Sequence, residues 1–184
     1  AELDESDGTI QKYLPDICVI NNLDEDHVDF YTEGVKSMIK VFNNFISKLK
    51  PSSKVLINID CEHTLQLEGK DFITYSCTKD ANYVAKNISL GAGITEFDLY
   101  HNNEFLVRLS TKMIGMHNVY NTLAVAAALI EAGYDINTLK DAFSTFTGMK
   151  RRFQLVGEVK GALIYDDYAH HPTEVKSLLS SLSA

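Results

Sequence analysis

The order strand, helix, strand near the start of the chain constrains the fold more than any other feature. Two short apolar runs rich in β-branched residues, DICVINN (16–22) and KVLINID (54–60), are typical of parallel strands buried on both faces. Between them, apolar residues recur at three- and four-residue steps from Thr32 to Lys50, just before Pro51, which predicts an amphipathic helix. The three elements predict a right-handed βαβ unit of an open α/β sheet.

The chain changes character between Phe72 and Met113. Four segments there are typical of strands, with HNN joining the last two as a hairpin: FITYSC, YVAKNISL, TEFDLY and EFLVRLS. They predict a small, mostly antiparallel β layer appended to the α/β part. An alanine-rich helix follows, which begins at GMHNVYN and stops at Gly133, and INTLKDAF predicts a second helix that pairs with it.

A second domain is predicted to begin near Met149. After that residue, FQLVGEVKGALIYDDY predicts a strand, a hairpin and another strand, and a helix follows from His171. We therefore expect one domain over residues 1–149 and the first βα unit of another over residues 150–184. The opening AELDESD is typical of a strand end that runs into a loop, so we expect a further segment of the protein to precede it.

Composition argues against two classes of partner. A chain of 184 residues with 45% hydrophobic content can bury a core of one domain or one and a half. A net charge of -8 argues against a nucleic-acid groove, which needs clustered Lys and Arg. The apolar runs are too short to span a bilayer, and no signal-peptide pattern opens the chain. The three cysteines show no metal-ligand spacing, so we expect reduced thiols in a cytoplasmic protein.

An acidic loop carries the first candidate site. INNLDEDHVDFY places His27 at the carboxyl end of a predicted buried strand, the edge where ligands bind in open α/β sheets. AELDESD is expected to bring Glu2 and neighbouring acids to the same edge. An imidazole among carboxylates can coordinate a divalent cation, and oxygen-rich surroundings favour magnesium or manganese over zinc. The alternative is a surface histidine beside a solvated acidic patch.

Polar residues also mark the head of the alanine-rich helix and the predicted domain boundary. Asn118 and Asn121 are three residues apart, so both amides point the same way, and an amide can pair with the edge of adenine. Helix capping by one of them is the alternative. The adjacent arginines of MKRRF could clamp phosphate oxygens or face water. The phosphate-cradling pattern G-x-x-x-x-G-K-[ST] does not occur in the sequence.

The segment DDYAHHPTEV (166–175) concentrates two acids, a tyrosine and paired histidines. We predict that the strand ALIYDDY ends at the carboxyl edge of its sheet and that HPTEV begins a helix with proline in the first turn. The loop between them then faces the cleft between the two domains. A polar turn that only caps the helix would account for Thr173 and one histidine, but not for the whole cluster.

Taken in chain order, five motifs resemble those of the Mur ligases: AELDESD, NNLDEDHVDFY, GMHNVYNTLAVAAAL, GMKRRFQ and YDDYAHHPTEV. The family has a nucleotide-sugar-binding domain, a central ATPase domain and a Rossmann-like C-terminal domain. The resemblance covers the ATPase domain from just after its P-loop and the beginning of the C-terminal domain. It implies ATP-dependent joining of L-alanine to UDP-N-acetylmuramate through an acyl phosphate, with Mg²⁺, in peptidoglycan precursor synthesis. The 184 residues alone are then expected to be inactive.

The resemblance also implies roles for individual residues. The implied metal ligands are Glu2 and His27, and the implied catalytic residues are His27, Arg152 and His170. The implied nucleotide-binding residues are Asn118, Asn121, Arg152 and Asp167, and the implied substrate-binding residues are Tyr168 and His170. His171 is interpreted as a capping or packing residue. Phe42 stands where several Mur ligases carry a carbamylated lysine, so no carbamate is expected.

Two alternatives remain beside this interpretation. A murein-peptide recycling ligase has a similar HHPT stretch, although DESD and TEV favour the alanine-adding branch. A catalytically inactive scaffold or partner-binding domain is supported mainly by the missing P-loop. Association into a homo-oligomer is left open by the sequence.

Overall fold

One six-stranded sheet organises the larger part of the chain. The protein is represented by a computed structural model, which describes residues 2–69, 71–91 and 93–182. The strands of this sheet, in both chain order and spatial order, are β1 (Ile17–Ile20), β2 (Lys54–Asn58), β3 (Ile73–Ser76), β4 (Tyr83–Gly91), β5 (Ile94–His101) and β6 (Glu104–Thr111). The helices are α1 (Val35–Lys48), α2 (Met116–Glu131), α3 (Ile136–Thr145) and α4 (Pro172–Leu182), with short 3₁₀ helices at Thr9–Lys12 and Thr64–Gln66.

The first four strands run parallel, as the strand, helix, strand pattern predicts. Alternate residues of β2 enter two different cores, because Leu56 packs with the cluster under α2 while Val55 and Ile57 pack with the cluster under α1. All three are almost fully buried, at 0%, 1% and 3% exposure. This burial on both faces explains the continuous apolar run in the sequence, and it confirms the predicted α/β fold class.

The antiparallel strands continue the parallel sheet. β4 pairs with β3 in parallel and with β5 antiparallel, so the change of direction falls at β4. The predicted β layer is therefore part of the main sheet, and its first strand, β3, is parallel. The predicted hairpin between β5 and β6 is confirmed, and its turn residues Asn102 and Asn103 have positive φ, which asparagine tolerates.

Helix α2 covers one face of the sheet with small residues. Its alanines Ala124, Ala126 and Ala127 are buried with Leu123, which lets the helix approach the strands closely. The helix ends before Gly133, which has φ 89°, as predicted. Helix α3 contacts α2, as expected, and also packs on β6, and the carboxylate of Asp135 caps it by accepting from the Asn137 N–H.

A separate two-stranded sheet follows α3. It is an antiparallel hairpin of β7 (Gln154–Val159) and β8 (Ala162–Asp166), and α4 begins at Pro172, so the predicted strands and the proline-led helix start are confirmed. Apolar residues of the hairpin remain exposed, among them Val156 at 55% and Leu163 at 54%. The predicted domain boundary near Met149 falls between α3 and this hairpin.

The opening segment differs from its prediction. The residues of AELDESD that the structure describes, 2–7, form a loop and turn and contain no strand; Ala1 lies outside the described residues. The Asp4 carboxylate accepts the Ser6 N–H and the Asp7 carboxylate accepts the Thr9 N–H, both at two-residue separation. Such short aspartate turns compete with strand pairing for the backbone. Within the described parts of the chain, no helix is long and apolar enough to cross a membrane.

Candidate active site

The acidic loop after β1 presents His27 at the carboxyl edge of the sheet. The His27 backbone has φ 51°, and its carbonyl accepts the N–H groups of Phe30 and Tyr31 at 2.9 Å. These backbone hydrogen bonds fold the loop back on itself. The imidazole is about one-third exposed, and its Nε2 atom lies 3.5 Å from Oε1 of Glu5. The arrangement leaves a histidine nitrogen beside a carboxylate at the protein surface.

Tyr31 fixes the opening segment beside this loop. Its hydroxyl donates to the Glu5 carbonyl at 2.5 Å, although the residue itself is 1% exposed. Burial, and then the charges of nearby acids, raise the pKa of Tyr31 to about 12, so the hydroxyl keeps its proton and remains a donor. The two acidic motifs therefore meet, as the sequence predicts, although through a loop and not through a neighbouring strand.

The acids beside His27 Nε2 are Glu5 at 3.5 Å and Asp26 at 3.9 Å, whereas the sequence singled out Glu2. Glu2 is exposed. Among the residues that the structure describes, no three His, Cys, Asp or Glu side chains are grouped so that they could hold a metal ion together. Mg²⁺ is commonly bound by one or two carboxylates completed by substrate phosphates and water. The groups at this loop, carboxylate oxygens and one imidazole nitrogen, are of the types that can bind such a cation.

The amides of Asn118 and Asn121 lie side by side in the first turns of α2. Asn121 Nδ2 lies 3.5 Å from Asn118 Oδ1, so the predicted common direction of the two amides is observed. Asn118 Nδ2 donates to the carbonyl of Ile114 at 2.8 Å and also lies 3.0 Å from Nε2 of His117. The capping alternative is not observed, because the N-cap of α2 is Gly115 without a side-chain cap, and Asn118 donates to the Ile114 carbonyl before the helix.

Aromatic and cationic side chains gather around Tyr168. The guanidinium groups of Arg151 and Arg152 lie 4.7 Å and 5.7 Å from the centre of its ring. His170 packs edge-on against the same ring, with centroids 5.1 Å apart. Tyr168 is 48% exposed, so the structure brings Arg152, Tyr168 and His170 together on an open surface.

Asp167 holds the junction between this cluster and the hairpin. Its two carboxylate oxygens accept the N–H groups of Phe153 and Ala169, both at 2.7 Å. Asp167 and Arg152 both act electrostatically on His117, the neighbour of Asn118. The charges of Asp167 and Arg152 are therefore felt at the start of α2, where Asn118 and Asn121 lie.

The head of α4 is tied to the acidic loop of the first domain. His171 Nδ1 accepts the Thr173 N–H at 3.3 Å, which caps the helix as interpreted from the sequence. Its Nε2 lies 3.0 Å from the Glu25 carbonyl, and Thr173 Oγ1 donates to Asp24 Oδ2 at 2.6 Å. Although burial disfavours its charge, Glu174 has a lowered pKa, because its carboxylate accepts the backbone N–H groups at the helix start. Sequence reasoning missed this contact between the two motifs.

A second residue that sequence reasoning missed is Asp60, just beyond β2. Its carboxylate accepts Ser76 Oγ at 2.8 Å, Thr78 Oγ1 at 2.5 Å, the Cys77 N–H at 2.8 Å and the Tyr120 hydroxyl at 2.9 Å. It thereby ties β2, β3 and α2 together at the edge that carries His27. The feature of the sequence that could have pointed to Asp60 is its position, because it is an acid at the end of a predicted buried strand.

Gly115 lets α4 approach the start of α2. It has φ 96° and ψ 154°, a conformation almost confined to glycine, and an added Cβ would lie 2.2 Å from Ser181 Oγ. We expect Gly115→Ala to lower the free energy of unfolding by about 2 kcal/mol and to speed amide exchange in α4. Urea unfolding and hydrogen exchange measure the two effects.

Gly133→Ala is the matched control for this substitution. Gly133 has a similar φ of 89°, but nothing lies within 4 Å of an added Cβ. The Gly133→Ala variant should therefore lose free energy of unfolding through backbone strain, without faster amide exchange in α4. Equal exchange rates in the two variants would show that the close approach of Ser181 contributes nothing to the docking of α4.

Comparison with known proteins agrees with the five motifs. Two family models match, the Mur ligase middle domain over residues 2–129 and the Mur ligase glutamate ligase domain over residues 151–184. The UDP-N-acetylmuramate--L-alanine ligase of Geobacter sulfurreducens is 36% identical over 184 residues, which are 98% of this chain and 40% of that protein. The enzyme of the same name from Dictyoglomus turgidum is 39% identical over 190 residues, at 99% and 40% coverage.

Solved structures give the same picture. The UDP-N-acetylmuramate-alanine ligase MurC of Thermotoga maritima superimposes with a TM-score of 0.83 at 27% identity, over 98% of this chain and 41% of that one. A murein peptide ligase from Psychrobacter arcticus gives a TM-score of 0.65 at 25% identity, over 95% of this chain and 36% of that one. The chain thus spans about 40% of the length of the curated relatives named above.

Proposed function

Since the chain belongs to the Mur ligase family, we propose that it is part of an ATP-dependent ligase that joins L-alanine to UDP-N-acetylmuramate in peptidoglycan precursor synthesis. The names of its relatives support this substrate pair. The observation that carries the proposal is the direct contact between the head of α4 and the acidic loop, through Thr173 and Asp24. A reaction that needs residues from both domains requires such a meeting of the two motifs. We propose a cytoplasmic location for the protein.

The proposed reaction explains why acids, amides and cations are needed together. A substrate carboxylate oxygen attacks the γ-phosphorus of ATP, and ADP leaves with the electron pair of the broken P–O bond. The alanine amine then attacks the carbonyl carbon of the acyl phosphate, the amine loses a proton, and inorganic phosphate leaves the tetrahedral intermediate. The protein forms no covalent bond in either step, so its work is positioning and charge neutralisation.

Glu2 and His27 would hold magnesium in this reaction, and Glu5 lies beside His27. Bound Mg²⁺ supplies positive charge to the phosphate oxygens. The chain's own contribution is the position of the imidazole, which the folded loop and the neighbouring Glu5 carboxylate define. Arg152 would add a further cation near the phosphates.

Asn118, Asn121 and Asp167 would bind the nucleoside part of ATP. Each oxygen of the Asp167 carboxylate accepts one backbone N–H and keeps a second lone pair, so it can still accept a ribose hydroxyl proton. The convergence of this carboxylate and of Arg152 on His117, next to Asn118, supports one shared nucleotide site.

Tyr168 and His170 would contact the muramoyl substrate. Both side chains are exposed, and the His170 imidazole lies 3.0 Å from the Tyr168 carbonyl and 3.7 Å from Glu174 Oε2. An exposed, loosely held imidazole beside an aromatic ring is free to bind a ligand.

Substituting His170 tests this assignment. In a full-length ligase that contains this sequence, His170→Ala should raise the KM for UDP-N-acetylmuramate about 10-fold and leave the KM for ATP unchanged, because one substrate contact is lost. Steady-state assays of ADP release with each substrate varied measure both constants. Loss of ATP affinity with normal muramate kinetics would contradict the assigned role.

The same assay separates the alternatives. Ligation of L-alanine by the full-length protein excludes a catalytically inactive scaffold. A preference for a preformed peptide over L-alanine would identify a murein-peptide recycling ligase. The 184 residues alone should release no ADP in response to alanine, because the P-loop pattern is missing from them.

A further inference from the structure

Helix α4 faces the first domain with a row of hydroxyl groups. Thr173, Ser177 and Ser181 are four residues apart and therefore lie on one side of the helix. Thr173 donates to Asp24, and an added Cβ at Gly115 would meet Ser181. Ser177 Oγ, in the middle of the row, lies 3.2 Å from Nδ1 of His117. The row therefore reaches both the acidic loop and the start of α2.

The orientation of the Asn118 amide follows from its surroundings. The Ile114 carbonyl lies 2.8 Å from the amide and can only accept, so the NH₂ group must face it. The same nitrogen lies 3.0 Å from His117 Nε2. Since Asn118 Nδ2 can only donate, Nε2 of His117 must carry a lone pair and accept.

The proton of His117 is therefore assigned to the other ring nitrogen. Burial lowers the pKa of His117, Asp167 opposes this and Arg152 adds to it, so the ring is neutral near pH 7 and holds one proton. With Nε2 accepting from Asn118, that proton is on Nδ1 and points at Ser177 Oγ. The Asn118 amide thus selects the tautomer of His117, and the Ser177 hydroxyl on α4 accepts the Nδ1–H hydrogen bond that this tautomer offers.

This chain of hydrogen bonds determines what Asn118 offers to a ligand. Both of its N–H donors are already used, one by Ile114 and one by His117. Its Oδ1 atom remains as an acceptor, with the Asn121 amide 3.5 Å away. Adenine carries an amino donor at position 6, whereas guanine carries a carbonyl acceptor there, and hypoxanthine shares that carbonyl. An outward Oδ1 therefore suits adenine and disfavours both oxo-purines.

We propose that His117 is a positioning residue, whose Nε2 accepts one N–H of the Asn118 amide and whose Nδ1–H donates to Ser177 on α4, so that Asn118 Oδ1 stays available as an acceptor and selection of a 6-aminopurine depends on the docking of α4. The inference rests on the proposed role of Asn118 in binding the nucleotide. His117 itself acts through Asn118 and not on the reacting atoms.

The tautomer can be measured without any assay of activity. In the full-length ligase labelled with ¹⁵N-histidine, long-range ¹H–¹⁵N correlation spectra should show His117 with its proton on Nδ1, and His117→Phe assigns the signal. Ser177→Ala should shift the His117 nitrogen resonances and the Asn118 side-chain amide resonances. Ser180→Ala is the matched control, because that hydroxyl bonds only within α4, to the Lys176 carbonyl. A proton on Nε2 would overturn the proposal.

Base selectivity supplies the second measurement. His117→Phe should lower the ratio of kcat/KM for ATP to that for ITP about 10-fold, because the Asn118 amide loses one of the hydrogen bonds that orient it. Ser177→Ala should lower it in the same direction but less, and His117→Gln should restore part of it, because its side-chain oxygen can accept from Asn118. Ser180→Ala should leave the ratio unchanged.

The two measurements separate the failure of each proposal. If the wild-type ligase uses no nucleotide, the proposed function fails, and a proton on Nδ1 would still support the positioning role of His117. If the ligase uses ATP and the ratio is the same in His117→Phe, the inference about His117 is wrong and the proposed function stands.

Discussion

Replacing His27 with alanine in the full-length ligase is expected to lower kcat by about 100-fold, which corresponds to about 3 kcal/mol of transition-state stabilisation. The imidazole lies beside Glu5 near the surface, with its side chain 36% exposed. The free energy of unfolding should therefore change by no more than about 1 kcal/mol. Single-turnover ligation at saturating Mg²⁺ and urea unfolding measure the two quantities.

His27→Asn separates the imidazole from the backbone. His27 has φ 51°, a left-handed conformation that asparagine tolerates better than alanine does. The asparagine variant should therefore be as stable as the wild type and still lose most of the rate. A ligation rate like that of the wild type in both variants would make His27 an ordinary surface histidine.

Replacing Asp60 with alanine is expected to lower the free energy of unfolding by about 3 kcal/mol, the largest effect on stability among these substitutions. Four donors lose their acceptor, and one of them, Ser76, is fully buried. The Tyr120 hydroxyl loses its bond as well, and with it a link between α2 and the sheet. Urea unfolding of the chain measures the change.

The pH dependence of stability should change in the same variant. Burial alone would raise the pKa of Asp60, but the bonds from Thr78, Cys77, Ser76 and Tyr120 outweigh it, and the pKa is lowered on folding. The carboxylate therefore contributes stability above its unfolded pKa of about 3.9, and this contribution is lost as the pH falls through the folded pKa. Asp60→Ala should lose stability less steeply than the wild type on acidification below about pH 4.

Asp16→Ala is the control for the Asp60 substitution. Asp16 also lies next to a strand and is 2.9 Å from Lys50 Nζ, but its side chain is 82% exposed. An exposed ion pair contributes about 0–1 kcal/mol. Equal losses in the two variants would show that the Asp60 network contributes no more than a surface pair.

The α/β core could be predicted because its pattern is local. The centre of β2, residues 55–57, is apolar at successive positions since both of its faces are buried, and α1 shows the three- and four-residue spacing of a helix with one buried side. The pattern could not show that the antiparallel strands extend the same sheet. That depends on the parallel pairing of β3 with β4, and the apolar pattern of a strand does not specify its partner or direction.

The candidate site was predictable in its motifs and less so in its geometry. Histidine, asparagines and the 166–175 cluster stand out by residue type. The neighbour of His27 is Glu5 and not Glu2, because the Tyr31 hydroxyl anchors the Glu5 backbone from 26 residues away. Asp60 and the contact of Thr173 with Asp24 depend in the same way on distant segments that meet only in the folded chain.

The surface between α4 and the first domain differs in kind from the cores of the sheet. The cores bury apolar side chains, whose exposure to water is unfavourable at any separation. The α4 contacts named here are hydroxyl, imidazole and carboxylate groups, and water can replace each partner at small net cost. Water can therefore enter and leave this surface while both cores of the sheet stay intact. These hydrogen bonds therefore specify where α4 lies while contributing little to the free energy that holds it there.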